Sequence, residues 1–265
     1  MRLQEADFGR YWPWPSLEAD KYARGVVGID TGSRRYPGAA VLTVLGALYT
    51  GAGFIRFCGT DAAHSAVLQR APSITFGVGQ VNVWLVGSGW DDTEANQERL
   101  DRVIADDLPL VVDATALQVM PSRLPAGSLL TPHAGELAQM MSVSRSEVEA
   151  DPVGIAEAAA KRWQASVLIK GHHQYVVDPA GEVKQALVGP AWTAQAGSGD
   201  VLAGIASSLM AQGCEASMAG CLAASIQALA ASRHPGPYPP DVLAGFLPQI
   251  IASFILGTSP IAVTS

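Results

Sequence analysis

The chain has only three cysteines in 265 residues, Cys58, Cys214 and Cys221, and none belongs to a CxxC pair. An odd count without that spacing excludes a disulfide framework, gives no support to a zinc site and fits a reducing cytoplasm. Basic runs are absent too: 17 Lys and Arg against 24 Asp and Glu leave a formal net charge of −7. Nucleic-acid binding needs clustered cations, so small-molecule partners are expected instead. No GxxxxGK[ST] sequence occurs, which removes a P-loop, and no HExxH occurs, which removes a zinc-protease helix.

Neither a membrane span nor an export signal is expected. The N-terminal MRLQEADFGRYWPWPSLEADKYARG carries charges and prolines where a secretory signal needs an apolar run. The uncharged stretch VLAGFLPQIIASFILGTSPIAVTS after Asp241 is interrupted by Pro248, Gln249, Gly257 and Pro260. It reads as a buried terminal helix with a tail rather than a membrane span. Tyr11, Trp12 and Trp14, set among prolines, read as an arm packed on the body or on a subunit, not as a base-stacking strip.

What is present suffices for one large core: 49% of residues are hydrophobic and 15% charged, so a single domain over residues 1–265 is expected. Short β-rich runs alternate with helical patterns. RGVVGID is followed by GAAVLTVLGALYTG and FIRF, and later VNVWLVG, DDTEANQERLDRVIADDL, PLVVDA, a helical stretch over 134–165 and SVLIKG follow in turn. This alternation predicts βαβ units and a mostly parallel sheet covered on both faces. QYVVDPAGEVKQALV predicts an edge hairpin turning at Asp178 to Gly181. Three helices are predicted after it, over about 199–212, 215–233 and 240–256. The first two are rich in Ala, Ser and Gly and therefore suited to close packing.

Chemistry concentrates in AGSGDVLAGI. Gly197 and Gly199 free successive backbone N–H groups at a helix start, which makes an anion hole for a polyphosphate. Asp200, a carboxylate inside that hole, repels phosphate unless it takes a proton. It therefore suits a base that accepts a hydroxyl proton during phosphoryl transfer, although an ordinary first-turn acid is the plainer alternative. His133 and Glu136 in TPHAGEL have one-turn spacing. His172 and His173 are adjacent, so on extended backbone their rings point to opposite faces and would not share a metal; no protein metal site is expected.

GSGDVLAGI closely resembles the glycine-rich anion-hole motif of the ribokinase-like superfamily. TPHAGEL, YPGAAVLTVLGALYTGAG, VLIKG and VVDATAL resemble, in order, the [NT]PHxGE, N-terminal, VLKG and DADAL motifs of the ADP/ATP-dependent NAD(P)H-hydrate dehydratases. Together they cover residues 26–213. The resemblance implies a three-layer αβα sandwich with a mostly parallel central sheet and an edge hairpin. It also implies repair of hydrated NADH or NADPH: the 6-hydroxyl is phosphorylated from ADP or ATP, with Mg²⁺, and phosphate is then expelled.

By the same resemblance, Ala39, Gly89, His133 and Asp200 line the substrate pocket. Lys170, Gly171, His172, His173 and Gln174 lie at the adenine nucleotide, with Gly197, Ser198 and Gly199 at its phosphates, and Asp200 is the base. A cytoplasmic homo-oligomer, a tetramer in such families, is implied, and the epimerase half that the family usually joins to this domain is expected to be separate or missing. The chain departs from the family pattern in VGSGW, where Ser88 and Trp90 replace pocket-shaping residues, and at Thr115, Gln174 and Ala196. The LHG of the next helix is missing. A small-alcohol kinase of the same fold, or a nucleotide-binding module without turnover, is the alternative.

Overall fold

The computed structural model describes residues 1–91 and 94–257. The strands are β1 (Val26–Asp30), β2 (Phe54–Phe57), β3 (Thr75–Phe76), β4 (Val83–Val86), β5 (Leu110–Val112), β6 (Leu129–Leu130), β7 (Ser166–Ile169), β8 (Tyr175–Val177) and β9 (Val183–Gln185). Helices α1 (Phe8–Tyr11), α2 (Pro37–Tyr49), α3 (Asp61–Arg70), α4 (Ala95–Ile104), α5 (Ala134–Met141), α6 (Arg145–Ala150), α7 (Pro152–Trp163), α8 (Ser198–Ala211), α9 (Ala216–Arg233), α10 (Pro240–Gly245) and α11 (Leu247–Gly257) complete the frame.

One sheet runs in the order β3-β2-β1-β4-β5-β6-β7-β8-β9. It is parallel as far as β7 and antiparallel from β7 to β8 and from β8 to β9. The predicted hairpin is there: Gly181 N donates to Asp178 O at 3.0 Å, closing the turn between β8 and β9. Residues 1–3 run along the outer side of β9, with Leu3 N on Gln185 O at 2.9 Å, so the edge is covered.

Period-two alternation sorts the strand side chains into two cores. Val27, Ile29, Leu85, Val111 and Leu168 pack on α2, α8 and α9. Val26, Trp84, Val86, Val112 and Val167 pack on the opposite face with residues of α4, α5 and α7. The small residues bring α2 and α8 close together. A Cβ on Gly46 would lie 2.3 Å from Val201 O, and one on Gly204 would lie 2.2 Å from Thr43 O. The arm packs on the body, Phe8 stacking on Trp12 and on Phe254 of α11.

Two predicted helices are divided. The stretch 134–165 forms α5, α6 and α7, because Ser142 is left-handed at φ +57° and Ser144 and Asp151 each cap a new start. The stretch 240–256 breaks at Phe246, and Pro248 sits in the first turn of α11, where its missing N–H costs nothing. Part of the predicted DDTEANQERLDRVIADDL helix, residues 92–93, and the predicted tail from residue 258 lie outside the described residues. No helix among the described residues is long and apolar enough to cross a membrane. All three cysteines are free, and burial pushes the Cys58 thiol up to about 11 and the Cys214 thiol up to about 12, too high for nucleophiles at neutral pH.

Candidate active site

The chain passes β1, β2 and β3 outward and then returns to place β4 on the other side of β1. This reversal opens a crevice at the C-terminal ends of β1 and β4, where ligands of open parallel sheets bind. Gly32 N donates to Ser88 O across it at 2.8 Å. Gly89 sits there at φ +67°, so close to Ala39 that a Cβ would fall 2.4 Å from the Ala39 methyl. The structure thus brings together two of the residues assigned to substrate.

Ser88 and Trp90, in contrast, do not face an open pocket. Ser88 is fully buried and its hydroxyl donates to Asp113 Oδ2 at 2.8 Å. Trp90 is 2% exposed, its Nε1 donates to Asp30 O at 2.9 Å, and the Arg99 guanidinium lies 4.2 Å from its ring centre. Arg99 also pairs with Asp30 Oδ1. Thr115, the second departure, donates to Trp90 O at 3.1 Å and so fastens the same loop.

Three further strand ends converge on one charged cluster. Asp113, just after β5, is 2% exposed. It accepts from Lys170 Nζ and from the Thr131 hydroxyl, each at 2.8 Å on Oδ1, as well as from Ser88. The next residue, Ala114, is left-handed at φ +50°, a strained conformation for a residue with a Cβ. Glu136 Oε2 lies 3.8 Å from Lys170 Nζ. Burial works to lower the Lys170 pKa, but the charges of Asp113, Glu136 and Asp200 outweigh it and hold that pKa above the usual value.

Above this cluster stands the start of α8. Gly197 holds φ +91°, which strains any residue with a Cβ, and a Cβ there would also push on Leu42 Cδ1 at 2.5 Å. Gln227 Nε2 donates to Ser198 O at 2.8 Å and fixes the turn. A Cβ on Gly199 would stand 3.4 Å from Lys170 Nζ, so the ammonium lies directly beneath the glycine. Asp200 opens α8 with its pKa pushed up to about 7, first by burial and second by the Asp113 charge, with Lys170 opposing. Three carboxylates, Asp113, Glu136 and Asp200, share a single ammonium, and Asp200 can take up a proton near neutrality.

Beside the cluster is a cleft of about 430 Å³. Lys170, Gly171, His172, Gln174, Ser198 and Gly199 border it, and so does His133; His173 and Gly197 do not. The bound of one side is the turn from Gly189 to Ala194, a contribution with no motif to announce it. His172 and His173 correct an expectation: the backbone bends there, and the two rings meet edge-on at 4.7 Å instead of pointing apart. His133 is the N-cap of α5, and it forms a capping box in which Glu136 N donates to His133 Nδ1 at 3.1 Å and His133 N donates to Glu136 Oε2 at 2.7 Å. Among the described residues no three His, Cys, Asp or Glu side chains are grouped to hold a metal.

The reversal between β1 and β4, the parallel run and the helical layers make this a doubly wound α/β fold, the fold of the ribokinase-like structures it superposes on. A ribokinase-like superfamily protein from Enterococcus faecalis superposes with a TM-score of 0.86 at 20% identity, over 96% of this chain and 95% of that one. The ADP/ATP-dependent NAD(P)H-hydrate dehydratase of Bacillus subtilis, co-crystallized with ATP/Mg²⁺, superposes with a TM-score of 0.85 at 24% identity, over 95% of this chain and 97% of that one.

Residues 27–253 match the family described as NAD(P)H-hydrate dehydratase, and the chain belongs to that family. It is 36% identical over 249 residues to the bifunctional NAD(P)H-hydrate repair enzyme Nnr of Mycobacterium leprae, a match covering 89% of this chain and 52% of that protein. It is 31% identical to the ADP-dependent (S)-NAD(P)H-hydrate dehydratase of Neisseria meningitidis, over 81% of this chain and 78% of that one. The chain spans about half the length of the bifunctional relatives it matches.

Proposed function

We propose that this chain converts (S)-NADH hydrate or (S)-NADPH hydrate to the reduced nucleotide, with ADP or ATP as phosphoryl donor. The observation that carries the reading is Asp200: a carboxylate with its pKa raised to about 7, set on the first turn of a glycine-opened helix above a buried lysine. Deprotonated Asp200 accepts the proton of the substrate's 6-hydroxyl as that oxygen bonds to the terminal phosphorus of the donor and the bond to the departing nucleotide breaks. Lys170 and the backbone N–H groups at Ser198 to Asp200 lie where negative charge gathers on the transferred group. The C6–O bond then breaks, phosphate leaves with the bonding pair, the ring nitrogen's lone pair replaces it, and loss of a proton from the neighbouring carbon restores the dihydropyridine. Mg²⁺ bound with the donor supplies neutralisation of phosphate charge.

In this reading the donor occupies the cleft lined by Lys170, Gly171, His172, Gln174, Ser198 and Gly199, with His173 and Gly197 acting from behind it, His173 against the His172 ring and Gly197 in the turn that opens α8. The reacting ring lies among Ala39, Gly89, His133 and Asp200. The working form is a single-domain cytoplasmic homo-tetramer, which equilibrium sedimentation tests. The reading itself is tested by mixing purified protein with (S)-NADPH hydrate and either ADP or ATP, and following the return of reduced-nicotinamide absorbance. Recovery that needs nucleotide and is lost in Asp200→Asn is the expected result. Nucleotide binding with no recovery would hand the site to a small-alcohol kinase or a module without turnover.

A further inference from the structure

A second cavity, of about 450 Å³, opens on the other side of the α5 start from the nucleotide cleft. Gln118, Met120, Glu136, Gln139, Arg162 and Trp163 line it. Glu136 joins it to the reacting centre, since its carboxylate lies 3.8 Å from Lys170 Nζ, itself 2.8 Å from Asp113. The His133–Glu136 capping box is therefore a ridge: His133 borders the nucleotide cleft and Glu136 borders this cavity.

The lining has the chemistry of a nucleotide half. Arg162 lies 4.5 Å over the Trp163 ring, and its Nη1 donates to Met140 O at 3.3 Å; among the described residues no carboxylate pairs with it. An exposed guanidinium held by a ring and one carbonyl keeps most of its donors free for phosphate. Glu136 Oε1 lies 3.6 Å from His133 Nε2 and accepts no hydrogen bond among the described residues, so it can accept from ribose hydroxyls. Gln118 and Gln139 offer amides, and Met120 an adaptable apolar surface for a base.

We infer that this cavity receives the adenosine-phosphate half of the dinucleotide substrate, with Arg162 as its phosphate ligand. The inference rests on the dehydratase reading for the orientation of the substrate. With the donor in the 430 Å³ cleft and the hydrated ring at Asp200, the remainder of the dinucleotide crosses the α5 start into a space of matching size.

The test is calorimetric titration of the protein with NADPH, with reduced nicotinamide mononucleotide and with ADP, for wild type, Arg162→Gln and Gln139→Trp. Both substituted side chains are exposed, so folding is kept. Arg162→Gln is expected to weaken NADPH binding roughly tenfold, and Gln139→Trp to weaken it by filling the cavity mouth, while mononucleotide and ADP affinities stay the same. Equal NADPH affinity in all three proteins, no NADPH binding by wild type up to millimolar concentration, or equal weakening of the mononucleotide would each overturn the inference. If the hydrate is never converted but Arg162→Gln still selectively weakens NADPH, the dehydratase reading fails and the dinucleotide site stands.

Discussion

Two buried carboxylates, each paired with a half-buried cation, sit at the C-terminal ends of parallel strands, Asp30 with Arg99 at the end of β1 and Asp113 with Lys170 just after β5. Their surroundings differ in charge count. Burial raises the Asp30 pKa, but Arg99 and then Arg102 work against it, and the guanidinium is closed over by Trp90. The pair is balanced and inward-facing, and it holds the loop that carries Gly89. Around Lys170 there are three carboxylates for one ammonium, and Lys170 itself borders the cleft. A balanced buried pair shapes a wall; an unbalanced one leaves a carboxylate in reserve, and Asp200 is that carboxylate.

The strongest way to break this comparison is to remove the reserve. Asp200→Asn is expected to lower turnover by about 10³-fold, the scale of a lost general base, with ADP affinity kept or improved. In wild type, turnover should rise with pH through about 7, as Asp200 loses its proton. Stability moves the other way. The folded pKa of about 7 exceeds the ordinary 3.8, so between those values the folded state binds more protons than the unfolded state. Stability is then fully present below the lower value, falls as pH rises and is lowest above 7. Asn removes that cost, so the variant should exceed wild type by about 2 kcal/mol in urea unfolding at pH 8, with the gap closing towards pH 4. Equal unfolding midpoints at both pH values would mean that Asp200 is not the surplus charge.

Next in size is a matched pair of cation removals. Lys170→Met and Arg99→Leu each strand a buried carboxylate, and each should cost about 3 kcal/mol in chemical denaturation. The two part company in the pH profile. Lys170 lowers the Asp200 pKa, so without it the midpoint of residual turnover should climb above 7 and ADP should bind more weakly. Arg99→Leu should leave that midpoint near 7. Identical shifts in the two variants would erase the distinction between wall and reserve.

Much of this arrangement was legible in the chain. The β-run and helix alternation carried the parallel sheet, the Asp178 to Gly181 turn carried the hairpin, and GSGD carried the α8 start. β3 and β6 escaped, since two residues each leave no period to read. The 134–165 stretch looked continuous because Ser142 and Asp151 cap without any glycine to mark the breaks. In the site, Asp200 stood out by its motif, but its pKa depends on Asp113 and Lys170, 87 and 30 residues away in the sequence. Asp30 with Arg99, 69 residues apart, has no motif at all. Ser88 and Trp90 read as changes to the pocket because a loop motif gives no indication of which side chains turn inward.

The smallest effect tests that last point directly. Trp90→Phe removes the Nε1 hydrogen bond to Asp30 O and part of the ring beneath Arg99. A net hydrogen bond and a partly lost cation–π contact amount to about 1 kcal/mol of stability. Because the Trp90 ring is buried against Asp30 and Arg99 and Gly89 only borders the crevice, kcat should stay within about twofold, and any catalytic effect should appear in the KM for the hydrate as the Gly89 loop loosens. A large fall in kcat with stability unchanged would place the Trp90 ring against the reacting groups after all. The wall at the end of β1 would then be part of the chemistry, and the contrast with the Lys170 cluster would be one of degree.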